Sequence, residues 1–99
     1  MELDAAKVEK VEGILKHLND EPVINVCQVM ISELKKTTEP TPDGRQSPHL
    51  SMARHCYRLL DYFGYRNTEL QEVLSDLERD VSRKCDPFTI SAEKQWRKG

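Results

Sequence analysis

The sequence predicts an all-α protein, a four-helix bundle made of two antiparallel helical hairpins joined by a long Pro-rich loop. Three observations predict it. Apolar residues recur at three- and four-residue steps in four separate segments, the period of one helix face. Charged residues make up 32% of the chain and aromatics only 6%, and β-branched runs are rare, which suits helices. The stretch from Lys36 to Ser47 holds Pro40, Pro42, Gly44 and four hydroxyl residues but no large apolar side chain, so it divides the chain into two halves.

The first helix is expected over about residues 2–19, where Val8, Val11, Leu15 and Leu18 share a face with Ile14 beside them. Asn19 and Asp20 end it. Asp20 suits the N-cap of a second helix over about residues 21–36, with Pro22 in the first turn, where a missing N–H is harmless. That helix carries Val23, Ile24, Val26, Cys27, Val29, Met30, Ile31 and Leu34, far more than a stripe of about 100°. It is therefore expected to be the central and most buried helix, with Ile24, Cys27, Met30 and Leu34 pointing inward.

Ser47 as N-cap and Pro48 at the first position open a third helix over about residues 48–63, closed by Gly64 as a left-handed cap. Ala53, Cys56, Tyr57, Leu60 and Phe63 form its apolar face, flanked by Met52 and Leu59. The fourth, over about residues 68–84, has a narrow seam of Leu70, Val73, Leu74, Leu77 and Val81. Its Glu69 and Glu72 near the start and Arg83 and Lys84 near the end suit the helix dipole. Residues 1–87 thus form one expected domain, the size of a single core. Residues 88–99, with Phe88, Ile90 and Trp96, are expected to make a short turn or trail as the start of a linker. The short links within each half predict the two hairpins.

Composition narrows the function classes. The net charge of −2 favours no partner by itself. No apolar run approaches about 18 residues, so no membrane span is expected, and the acidic start, Met1-Glu2-Leu3-Asp4, does not resemble a targeting peptide. Cys27, Cys56 and Cys85 are an odd number, far apart and without a close pair. They read as reduced thiols of a cytoplasmic or nuclear protein, not as zinc ligands. His55 and Cys56 are adjacent but point about 100° apart on a helix, which does not suit a thiolate–base pair. No phosphate loop, nucleophile elbow or metalloprotease motif occurs. No enzyme activity, cofactor, metal or small-molecule substrate is expected.

One surface stands out. Arg54, Arg58 and Tyr62 lie four residues apart along one side of the third helix, with His55 and Ser51 beside them and Arg66 after the turn. From Gly44 to Arg66 there are four arginines and one acid, Asp61, whereas the first 22 residues hold six acids and three lysines. Arginine binds carboxylates and phosphates bidentately, and Arg and Tyr are favoured at binding hot spots. Arg54, His55, Arg58, Tyr62 and Arg66 are therefore the expected partner-binding residues of a non-enzymatic interaction domain. The expected partner is an acidic or phosphorylated protein segment. Two alternatives are a nucleic-acid-binding accessory domain using the same strip and a homo-oligomeric module using the apolar excess of the second helix. The start of the fourth helix, with Glu69 and Glu72, excludes it as a recognition helix for DNA. Thr41-Pro42 and Ser47-Pro48 fit the minimal site of a proline-directed kinase. A phosphate on Ser47 is expected to be tolerated as a helix cap.

Overall fold

The computed structural model describes residues 3–37 and 46–98. Five helices follow one another: α1 Ala5–Leu15, α2 Glu21–Lys36, α3 Pro48–Tyr62, α4 Thr68–Cys85 and α5 Pro87–Lys98. No strand occurs among the described residues.

Side-chain caps decide where the helices begin. The carboxylate of Asp4 accepts from the backbone N–H groups of Ala6 and Lys7, so α1 starts later than its apolar pattern suggests. It also stops earlier, because His17 and Leu18 bond back three residues, to Ile14 and Leu15, in a tightened last turn. Asp20 caps α2 through the N–H of Val23, Ser47 caps α3 through that of His49, and Asn67 caps α4 through that of Leu70. The end of α3 is a complete Schellman motif. Tyr65 N–H donates to the Leu60 carbonyl and Gly64 N–H to that of Asp61, with Gly64 at a φ of 73° that only glycine adopts freely.

The tail is a helix rather than a turn or a loose end. Asp86 caps it, accepting from the N–H of Phe88 and the hydroxyl of Thr89, and Pro87 occupies the first helical position. Phe88 is 69% exposed and does not fold back onto the other helices.

The central helix is α4, not α2. Seven of the 18 residues of α4 are buried, against five of the 16 of α2. The physical reason is position. α4 packs against each of the other four helices, whereas the main packing of α2 is with α3. The closest pairings are α2 with α3 and α1 with α4, so α1 and α2 do not form the tight pair that their short link predicts. Within α2, Cys27, Met30 and Leu34 are fully buried as expected, while Ile24 is only partly so. The shared core joins these to Val11, Leu50, Ala53, Leu60, Leu70, Leu74 and Leu77.

Polar contacts reinforce the two main pairings. Lys7 meets Asp80 at 2.8 Å and Lys10 meets Glu69 at 3.4 Å, tying α1 to α4. The imidazole Nδ1 of His49 meets the carboxylate of Glu33, tying the start of α3 to the end of α2. These contacts fix register more than they stabilise, since exposed ion pairs contribute about 0–1 kcal/mol. Burial of the apolar seam carries the fold.

Met30→Ala in α2 and Leu74→Ala in α4 should each destabilise the protein by roughly 2–5 kcal/mol, the cost of a large-to-small change in a closed core. Urea denaturation checks this, and a loss under about 0.5 kcal/mol, the scale of surface changes, contradicts the placement.

Candidate functional site

The outer side of α3 is built by the register that its caps impose. With Ser47 and Pro48 fixing the start, Leu50, Ala53, Cys56 and Leu60 turn into the core. Ser51, His55, Arg58 and Tyr62 then face outward. Arg54 lies at the edge of this strip, on the side nearest α4.

That edge position changes its role. Arg54 is not a free, exposed anchor. Its Nε donates to Glu78 at 2.6 Å, and its Nη2 donates to the Ser82 hydroxyl at 2.7 Å and to Asp86 at 2.9 Å. The Ser82 hydroxyl in turn donates to Glu78. One guanidinium thus ties α3 to the last turns of α4 and to the cap of α5. Its planar fork suits several acceptors at once, which a lysine cannot match. The side chain of Asp86 is 4% exposed and that of Arg54 is 29% exposed. Burial by itself would raise the Asp86 carboxyl. The hydrogen bonds from Arg54, Thr89 and the Phe88 N–H, with the arginine charge, outweigh burial and hold it below the usual carboxylate range. Burial acts to lower the Arg54 guanidinium, and its hydrogen bonds to Glu78 and Asp86 outweigh that and raise it.

The remaining expected partner-binding residues stay at the surface. Arg58 is exposed and makes no hydrogen bond or ion pair among the described residues. Tyr62 is 84% exposed. His55 is exposed, and Arg66 is exposed but spends its charge on Asp61 at 3.1 Å. Between α3 and α4, a groove of about 490 Å³ is lined by Arg54, Tyr57, Arg58, Gln46, Ser75 and Glu78. Arg58 therefore stands between this groove and Tyr62.

Periodicity missed one member of the surface. Phe63 falls on the predicted apolar face, yet it is 46% exposed, and its ring stands edge-on to that of Tyr62 with centroids 6.1 Å apart. The adjacent Gly64 was the available signal, because a residue beside a helix cap has left the regular face. Of the phosphorylation candidates, Thr41 lies outside the described residues. Ser47 caps α3 as expected and is 7% exposed.

The cysteines are core residues. All three are buried, and none forms a disulfide among the described residues. Burial pushes the Cys27 thiol up to about 11, with a contribution from Cys56, and burial also raises Cys56. Such thiols stay protonated near neutral pH and are poor nucleophiles. Among the described residues, no three His, Cys, Asp or Glu side chains are grouped to hold a metal ion, and no helix is long and apolar enough to cross a membrane. No family model, curated protein or solved structure matches this chain.

Arg54→Ala should destabilise the protein by about 2–3 kcal/mol. That is below the roughly 3–5 kcal/mol of a fully buried pair because Arg54 is partly exposed. Thermal or urea unfolding checks this, and a change within about 0.5 kcal/mol contradicts it. The pH dependence has a definite sign. Asp86 is ionised more easily folded than unfolded, so its stabilisation is complete above the unfolded value of about 3.9 and is lost as pH falls through the lower folded value. Asp86→Asn should be less stable than the parent at neutral pH and should lose less on acidification below about pH 4. Parallel stability curves for the two proteins through that range contradict the assignment.

Proposed function

We propose that this chain is a non-enzymatic helical interaction domain that binds an acidic or phosphorylated protein segment across the outer face of α3. The observation that carries the proposal is Tyr62, 84% exposed beside an arginine with no partner among the described residues. An aromatic ring held in water by a rigid helix gives a partner a large contact area at little entropic cost. Its edge-on pairing with Phe63 widens the anchor. Arg58 supplies a planar cation able to take a carboxylate or phosphate bidentately. His55 and Arg66 form the rim, and Arg54 belongs to the fold instead of the contact set. Three reduced thiols suit a cytoplasmic or nuclear setting.

The charge distribution favours a protein segment over a nucleic-acid backbone. Of the four arginines from Gly44 to Arg66, Arg54 and Arg66 are matched by acids and Arg45 lies outside the described residues. One uncompensated arginine neutralises about one phosphate, and affinity for a nucleic-acid backbone grows with the number neutralised.

The test is a pull-down from cell lysate, with and without nuclease, comparing the parent with Arg58→Ala and Tyr62→Ala. Each change should leave stability within about 0.5 kcal/mol and weaken capture of the main partner by on the order of 2 kcal/mol, a hot-spot loss. Full retention by the double variant contradicts the proposal. Loss of the partner on nuclease treatment, with binding that falls steeply as salt rises, supports the nucleic-acid alternative instead.

A further inference from the structure

Where α1 and α2 diverge they leave a groove of about 500 Å³. Its apolar floor is half-buried Ile24 of α2 with the edges of Leu15 and Ile31, each 7% exposed, and Glu12, Lys16 and Lys35 stand around it. From Ile24 to Lys35 the groove follows α2 for twelve residues, about 16 Å or three helical turns. The lysines of these two helices divide cleanly. Lys7, Lys10 and Lys36 are each paired with an acid. Lys16 and Lys35, which line the groove, make no ion pair among the described residues.

We propose that this groove is a second docking site, distinct from the face of α3, and that it takes a short amphipathic helix of a partner protein with an acidic flank. An apolar ridge spaced at three- and four-residue steps would lie on Leu15, Ile24 and Ile31, in the helix-in-groove mode. Carboxylates beside that ridge would meet Lys16 and Lys35. The three-turn length matches a peptide helix rather than a domain. A second copy of the chain is a poorer occupant, because eight lining residues with three apolar ones fall short of the roughly 20–30 residues a side of a stable dimer. The chain's own last helix is poorer too, since Lys94, Arg97 and Lys98 against Glu93 would bring like charge to the two lysines.

The probes are two designed helical peptides with the same leucine ridge, one flanked by glutamates and one by lysines, titrated into isotopically labelled full-length chain and followed by NMR. The glutamate peptide should shift the amides of Gln28, Ile31 and Ser32 and bind at least about tenfold more tightly than the lysine peptide. The double variant Lys16→Glu, Lys35→Glu, at two exposed sites, should fold normally by circular dichroism and reverse that order. Arg58→Ala with Tyr62→Ala should leave glutamate-peptide binding unchanged, which separates this groove from the α3 face. Equal affinities for the two peptides overturn the proposal. So do shifts centred on α3, no shifts at about 1 mM peptide, a Kd weaker than any specific helix–groove contact, or a solution dimer that Lys35→Glu dissociates.

Discussion

Asp86 keeps a charge on a side chain that is almost entirely out of water. A carboxylate in that position needs both a counter-charge and hydrogen-bond donors, or it stays protonated. Arg54 gives the charge, while Thr89 and the Phe88 N–H complete the donors. The same carboxylate is the cap that starts α5. The direction of the last helix, the end of α4 and the position of α3 therefore meet at one ion pair. The apolar core holds the helices together but is non-directional. The Arg54 cluster supplies direction, and no described buried side-chain polar atom is left without a partner.

This constraint also sorts the charges on α3. An arginine committed to Glu78, Ser82 and Asp86 has little left to offer a partner. Arg58, one turn further on, makes no ion pair among the described residues and keeps its guanidinium available. Arg66 is spent on Asp61. Among the described residues, a strip that looks uniformly basic in sequence becomes one structural cation, one cation without an ion pair and one neutral pair, with exposed rings beyond them. The proposed binding face is thus a narrow aromatic and cationic spot, not a broad positive field. α2 shows the same division. Its core side is closed by α3, and half-buried Ile24 faces the groove beside Lys16 and Lys35, which make no ion pair among the described residues.

Local chemistry was legible in the sequence. Asp20 with Pro22, Ser47-Pro48 and the Gly64 stop were readable because a cap acts over three or four residues and depends on nothing distant. The seam of α4 was readable because a narrow stripe has one interpretation. Asp86-Pro87 carries the same cap signal, but a proline after a long helix fits the end of a domain equally well. What stayed hidden depends on neighbours far along the chain. Glu78 and Asp86 lie 24 and 32 residues from Arg54, and a helical wheel gives the angle of a side chain, not what stands opposite it. Likewise the breadth of the α2 arc suggested a central helix. Centrality depends on how the helices are arranged, and there α4, with fewer apolar residues but four neighbours, takes the middle.

The most direct test of this account is a double-mutant cycle between Arg54 and Asp86, using Arg54→Met, Asp86→Asn and the pair together, with stability read by urea unfolding at neutral pH. If the ion pair organises the junction of α3, α4 and α5, the two changes are strongly non-additive, with a coupling of about 1–3 kcal/mol as residues of one buried network show. Additivity within about 0.5 kcal/mol, the behaviour of independent sites, contradicts the account and returns Arg54 to the exposed face of α3.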